Sequence, residues 1–389
     1  MKFAATSSKV RISGRVLREK EIAYLGYSGS FVEFTYTGTF AKAQIDNKAY
    51  VSGDSTFDTW VAVFVNGSDK PYARFKLEEG TQEYELYHSE RAQETTVRLM
   101  KMSEAAFGSF GILSFETDDR HGAKPSRELL HRIEFIGDSI TCGYGNEGVA
   151  NVDVFRTGQE NPVNGYAILT AKALQAEYQL IAWSGIGIIS NWVEETVNEP
   201  NEEILMPTLY SYIDKRTSEA WDFTKWKYAG AFEPDLIVIN IGTNDASYVR
   251  NIPEREQAFA AQYYAFLKQV RICNPEANIL CILGVMDQRL CEQIEEAVNR
   301  FAEEQQDQKV FFHMLRQQQA EDGLGTDDHP SALTHMKLSQ ELTDVINQSN
   351  LLRSEKGISN RLDVIKNLFR AGSAGKNTGH NSVMQDPGE

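Results

Sequence analysis

Asp138 and Ser139 stand directly after a short apolar run, 133–136, that is broken by Gly137. A run of that kind reads as a buried parallel strand. In open α/β sheets, ligands bind just beyond the carboxyl ends of such strands. A serine placed there, with a helix starting behind it, exposes its hydroxyl and turns its backbone N–H into the crevice. One residue can then serve as nucleophile and as oxyanion donor. Helix capping is the competing use, since Asp and Ser are both favoured N-caps.

Three later loops carry candidate partners. Trp183-Ser184-Gly185-Ile186-Gly187 follows a second apolar stretch and offers Gly185, whose missing Cβ lets an N–H approach a ligand closely. A glycine at an ordinary strand-to-helix turn would read the same way. Gly242-Thr243-Asn244-Asp245 offers the Asn244 side-chain amide, a donor type used in oxyanion holes. Asp245 reads as a cap or loop anchor. Gly325-Thr326-Asp327-Asp328-His329-Pro330-Ser331 offers His329 among carboxylates. Such neighbours favour the imidazolium that forms when a histidine takes a serine proton. Together these residues suit acyl transfer, with Ser139 as nucleophile and His329 as general base.

Elements able to position such a site are legible in the hydrophobic pattern. From about 127 to 352 apolar strands alternate with helical stretches. Strands are expected near 133–136, 178–182, 235–240, 279–283 and 310–313, and helices near 165–177, 254–274, 291–306 and 334–347. This alternation predicts a doubly wound parallel sheet. Residues 1–122 read instead as all-β. Stretches at 31–37, 60–65, 72–77, 84–87, 95–102 and 108–115 are rich in β-branched and aromatic residues, with an Asn66-Gly67 turn signal. A sandwich or jelly roll is expected. It would serve as a structural partner to the next domain or as a carbohydrate-binding module. A polar Gly/Pro segment at 118–126 reads as the linker. Residues 353–389 read as one amphipathic helix (358–370) and a tail too polar to bury a core.

The chain of 389 residues carries a formal charge of −16. That balance disfavours nucleic acid and polyphosphate partners, which demand a cationic surface, and a neutral substrate suits it better. No apolar run reaches the ~18 residues of a membrane span, so no membrane association is expected. The N-terminus shows no apolar signal segment, which points to the cytoplasm, or to secretion if a leader has been removed. Cys142, Cys273, Cys281 and Cys291 show no metal-ligand pairing, and reduced thiols are expected. Cys142 reads as a packed thiol. The oligomeric state stays open, a homo-oligomer among the options.

In their order along the chain, Gly137-Asp138-Ser139, the glycine block at Gly185, Gly242-Thr243-Asn244-Asp245 and Asp328-His329-Pro330 resemble the SGNH (GDSL) hydrolase superfamily. An all-β segment ahead of such a domain, with Asp-His-Pro-Ser followed by Thr334-His335, is similar to the second family of carbohydrate esterases, the acetyl-xylan esterases with an N-terminal jelly roll. The resemblance implies deacetylation of xylose-, glucose- or mannose-based sugars without a metal or organic cofactor. It also implies Ser139 as nucleophile, His329 as base, and an oxyanion hole of the Ser139 N–H, the Gly185 N–H and the Asn244 side chain.

One position departs from the pattern. The superfamily usually has Asp three residues before the histidine, and here Thr326 stands there. The Asp327 carboxylate, a backbone carbonyl or a carboxylate from another loop could orient the ring; losing the orienter of a triad can cost about 10⁴ in rate. For a pyranose platform the aromatic candidates are Tyr144, Trp183 and Trp192, with Trp221, Trp226 and Tyr228. Core packing is the competing use of each. His335 is assigned to packing. A lipase or thioesterase of the same superfamily would want a long apolar groove, which the polar stretch 146–164 does not suggest. A non-catalytic glycan binder would be expected to have lost Ser139, Asn244 or His329. A metal phosphoesterase would need an Asp/His cluster at ligand spacing.

Overall fold

The computed structural model describes residues 1–49, 55–214 and 224–352. Trp221 and the helix expected at 358–370 lie outside these residues. Two sheets carry the architecture. The first is antiparallel and contains β1 (Lys2–Ala4), β2 (Arg11–Ser13), β3 (Val16–Glu19), β4 (Ile22–Leu25), β5 (Phe31–Ala49), β6 (Trp60–Val65), β7 (Ala73–Lys76), β8 (Gly80–Lys101) and β9 (Gly108–Thr117). Its order is β3-β4-β9-β5-β8-β6-β7, with β1 on β9 and β2 on β5.

Two strands are much longer than the sequence pattern suggests. The stretches expected at 84–87 and 95–102 are parts of one strand, β8. Its partner β5 changes neighbours along its length, pairing with β2 near Glu33 and with β9 from Ala41 onward. Register shifts between Gly38 and Phe40 and between Ala41 and Lys42 mark the change. Bulges of this kind bend and twist a strand, which lets one strand serve both layers of a jelly-roll-like fold. Phe34, Val63, Leu99, Phe110 and Phe115 fill the space between the layers. Asn66 and Gly67 are both left-handed, at φ 54° and 72°, as a turn demands. The β6–β7 pairing, however, resumes only at Val63 and Ala73, so the loop is longer than a two-residue hairpin.

The second sheet is parallel, in the order β11 (Ala176–Ala182), β10 (His131–Gly137), β12 (Leu236–Asn240), β13 (Asn278–Leu283) and β14 (Val310–Met314). Helices α1 (Ser139–Cys142), α2 (Tyr166–Ala173), α3 (Met206–Leu209), α4 (Asp245–Val249), α5 (Pro253–Cys273), α6 (Cys291–Glu304) and α7 (Ala332–Gln348) connect and cover it. The expected alternation is present, with one correction: α2 ends at Ala173. Gln175 then turns left-handed at φ 51° and the chain enters β11 at once. Every residue of β11 and β12 is buried; β12 accordingly reads as an unbroken apolar run, whereas β11 carries Glu177 and Gln179, which are paired with Arg11 and Glu134. Among the described residues no helix is long and apolar enough to cross a membrane.

The two sheets lie in one compact unit, residues 1–351. The 118–126 segment is fastened rather than loose. Asp119 accepts from the Thr37 N–H at 2.7 Å, and Lys124 and Thr35 exchange backbone bonds at 2.8 and 2.9 Å. Arg15, fully buried, crosses from the antiparallel layer to donate to the carbonyls of Tyr210 (2.7 Å) and Tyr212 (3.1 Å), with Glu134 at 3.5 Å. Tyr210 and Tyr228 face its guanidinium at 4.7 and 5.2 Å, and Trp226 at 5.3 Å. Trp226 and Tyr228 are therefore interface packing, not a sugar platform.

Candidate active site

Three neighbouring strands, the edge strand β11 with β10 and β12, end level. Gly137 of β10 pairs with Ala182 of β11 and with Asn240 of β12, so the loops that follow leave one edge together. At Gly137 a Cβ would stand 1.9 Å from Thr141 Oγ1. Only glycine allows the chain to fold back this tightly into α1. Asp138 caps that helix, its Oδ1 accepting from the Ile140 N–H at 3.0 Å. Ser139 thus begins the first turn, where N–H groups lack an intrahelical acceptor. Burial pushes the Asp138 carboxyl up to about 7.

His329 arrives from the loop before α7. Its Nε2 lies 2.8 Å from Ser139 Oγ. Its Nδ1 faces two backbone carbonyls, Asp327 O at 3.1 Å and Thr326 O at 3.2 Å. A donor at Nδ1 leaves Nε2 with its lone pair toward the serine, the tautomer that a general base requires. Burial lowers the His329 pKa from its ordinary value, opposed by the Asp327 and Thr326 carbonyls and the carboxylates of Asp327 and Asp328.

The Asp327 carboxylate does not orient the histidine. It accepts a hydrogen bond from the Tyr144 hydroxyl at 2.8 Å. Asp327 and Asp328 are both left-handed, at φ 52° and 58°, and the Thr326 and Asp327 carbonyls are the groups that meet Nδ1. Asp327 as a catalytic side chain is thereby corrected: it acts through its main chain. Thr326, where the usual Asp would stand, is fully buried against two glycines. A Cβ on Gly145 would come within 2.9 Å of Thr326 Cβ, and one on Gly148 within 2.0 Å of Thr326 Oγ1. The threonine packs where a longer acidic side chain would have to push this loop away.

The donor loops differ in readiness. Gly185 is left-handed at φ +78°, and a Cβ there would meet nothing within 4 Å, so it borders open space. A cavity of about 180 Å³ beside it is lined by Ser184, Ile186, Asn191, Trp192 and Glu203 among others. Asn244 Nδ2 donates to Ile186 O at 2.9 Å and lies 3.3 Å from Asp138 Oδ2. It ties the Gly185 loop to the residue before Ser139. Asp245 is an anchor, as its position suggests. Its Oδ1 accepts from the N–H groups of Ile188 (2.9 Å), Ile189 (2.7 Å) and Ser190 (3.1 Å).

The aromatic candidates separate cleanly. Trp183 is 2% exposed and belongs to the core of the parallel-sheet layer, where it backs the Gly185 cavity but offers no open face for a ring to lie on. Trp192 is 53% exposed. Tyr144 stacks on Phe155 with centroids 3.6 Å apart and lies 4.4 Å from the His329 ring. Its hydroxyl is engaged by Asp327, so it braces the histidine loop. His335 is buried and its Nδ1 accepts from the Tyr166 N–H at 3.2 Å, in keeping with packing.

One group of metal-ligand types occurs among the described residues: Glu104, Cys142 and Glu160, all buried, with ligand atoms within 4.8 Å of one another. Burial and the nearby carboxylates push the Cys142 thiol well up, and the Lys101 ammonium donates to the Glu104 main-chain carbonyl at 3.2 Å. Glu104 was invisible as a site residue in the sequence. It lies between the all-β stretches, with no motif around it.

Residues 135–337 match the profile of the GDSL-like lipase/acylhydrolase family, and residues 12–126 match that of the carbohydrate esterase 2 N-terminal domain. The structure of a family two carbohydrate esterase from Clostridium thermocellum, in complex with cellohexaose, superposes with a TM-score of 0.75 at 30% identity over 88% of this chain and 100% of that one. The chain belongs to the second family of carbohydrate esterases. Among its relatives, a cellulase/esterase of Acetivibrio thermocellus is 32% identical over 82% of the chain, which spans 36% of that longer protein. An acetylxylan esterase/glucomannan deacetylase of Cellvibrio japonicus is 26% identical, over 89% of this chain and 90% of the relative. The family membership accounts for the pairing of an antiparallel domain with a parallel-sheet hydrolase domain.

Proposed function

We propose that the protein is a serine esterase that removes acetyl groups from acetylated sugars of xylan or glucomannan type. One observation carries this: a serine hydroxyl 2.8 Å from a histidine Nε2, at the carboxyl edge of the sheet. The reaction is a two-step acyl transfer. Ser139 Oγ attacks the acetyl carbonyl carbon while His329 takes its proton. The carbonyl oxygen becomes an oxyanion held by the N–H groups of Ser139 and Gly185 and by the Asn244 amide. Collapse breaks the ester bond, and His329 returns the proton to the departing sugar oxygen. Water, deprotonated by His329, then attacks the acetyl-serine; the bond to Ser139 Oγ breaks, acetate leaves, and His329 returns the proton to Ser139 Oγ.

Asn244 takes part by exchanging an acceptor. Its longer contact, to Asp138, is the one an oxyanion displaces, while the bond to Ile186 keeps the amide in place. Trp192 is assigned to the sugar, because it is the exposed aromatic beside the Gly185 cavity and a flat apolar face suits a pyranose ring. The acidic chain, with its isoelectric point near 5.0, fits a neutral substrate.

Ser139→Ala is expected to abolish release of p-nitrophenol from its acetate ester and of acetate from acetylated xylan. Unchanged turnover would remove the nucleophile assignment. Acetate esters are expected to outrun octanoate esters; the reverse order would favour a lipase.

A further inference from the structure

We propose that Glu104, in the antiparallel domain, is a positioning residue for the oxyanion loop: its carboxylate grips Ser184 and thereby aims the Gly185 N–H. The inference rests on the esterase reading above and adds a role that reaches the site from the other domain.

Gly185 cannot hold its own direction. Glycine has the widest backbone freedom of any residue, and nothing packs within 4 Å of where its Cβ would be. Its orientation must come from its neighbours. On one side the Trp192 N–H donates to Gly185 O at 2.9 Å. On the other, Glu104 takes both donors of Ser184. Oε2 accepts from the Ser184 N–H at 2.6 Å, and Oε1 accepts from the Ser184 hydroxyl. A two-point grip on main chain and side chain of one residue leaves the following peptide little room to rotate.

The same carboxylate faces the nucleophile's helix. Its Oε2 lies 3.8 Å from Cys142 Sγ, on the short α1 that starts with Ser139. One buried group therefore touches both segments that carry main-chain oxyanion donors. Its own main chain is held by Lys101, whose ammonium donates to the carbonyls of Ser103 and Glu104. Behind it, burial and the facing Glu104 carboxylate push the Glu160 carboxyl far above its usual range. The charge cluster is closed to solvent, since Lys101, Glu104 and Glu160 are all fully buried. In a water-poor setting an ionic hydrogen bond is stronger and more directional than at a surface.

The test uses the full chain with Glu104→Gln, Ser184→Ala and the double variant. Functional serines are counted by labelling with a fluorophosphonate, and kcat and KM are measured on p-nitrophenyl acetate. Glutamine keeps the size but has one acceptor oxygen where Ser184 needs two. Expected are full labelling, a fall in kcat per labelled site of about 10–100-fold in Glu104→Gln and KM within about two-fold. Ser184→Ala should fall in kcat by less, again at constant KM. The double variant should be no slower than Glu104→Gln alone, because both changes break one grip. A kcat within two-fold of the parent in both single variants overturns the proposal, as do losses that multiply in the double variant. Should Glu104→Gln fail to fold, Ser184→Ala decides alone, since it leaves the buried acids intact: reduced kcat at constant KM supports the grip, and unchanged kcat overturns it. Failure of the esterase reading itself would show separately, as turnover that survives Ser139→Ala.

Discussion

His329 meets Asp327 through the wrong end of the aspartate for a triad. Its Nδ1 stands 3.1 Å from the Asp327 carbonyl oxygen, while the Asp327 carboxylate holds the Tyr144 hydroxyl at 2.8 Å. A peptide carbonyl accepts the Nδ1 proton and so selects the catalytic tautomer. It brings no negative charge to stabilise the imidazolium beyond what the nearby carboxylates supply through space.

Asp327→Asn should therefore keep kcat within about three-fold of the parent, because asparagine still offers Tyr144 an acceptor. His329→Ala should lose about 10⁴-fold or more. Steady-state kinetics on p-nitrophenyl acetate separates the two. An Asp327→Asn defect close to that of His329→Ala would return the carboxylate to the orienting role.

The pH dependence follows from the burial of His329. The base must be neutral to accept the serine proton, and burial lowers its pKa from the ordinary 6.5. The acid limb of kcat/KM should accordingly fall to half below pH 6.5, and activity should persist into mildly acidic solution. Asp327 and Asp328 both raise that pKa. Replacing both by asparagine should move the acid limb to lower pH still, and a shift to higher pH would contradict the assignment.

Asn244→Ala should reduce kcat by about 10²–10³-fold with little change in KM, the signature of a donor that acts on the oxyanion. Thermal unfolding supplies the control. Asn244 also links Ile186 and Asp138, so a modest drop in Tm is expected, far too small to empty the folded state under assay conditions. A loss carried entirely by KM would move Asn244 from the oxyanion to substrate binding.

Arg15→Ala should destabilise the whole unit, not only the antiparallel layer. It leaves Glu134 buried without its cation and removes two hydrogen bonds to the Tyr210 and Tyr212 carbonyls. Breaking a buried pair from one side costs about 3–5 kcal/mol. Urea unfolding followed by both fluorescence and circular dichroism would check this. One coincident transition at lower midpoint is expected, whereas two separated transitions would mean that the sheets unfold independently.

Residue type and order alone determined the parallel sheet and the Ser139, Gly185, Asn244 and His329 blocks, because each is local. An apolar run, a glycine that must turn and a polar residue just past a strand all lie within a few positions of one another. What orients His329, which aromatic faces solvent and where the antiparallel domain touches the site were decided only by tertiary structure. Asp327 could have turned either face to the ring. Its left-handed backbone and the Tyr144 hydroxyl, far off in sequence, chose the carbonyl. Trp183 and Trp192 look alike on paper, yet one lies in the core and the other in solvent. Glu104 has no local pattern to mark it, since its meaning comes from Ser184, Cys142 and Glu160, which only folding brings together. Local signals record what a segment must be, and contacts between distant segments record what it is for.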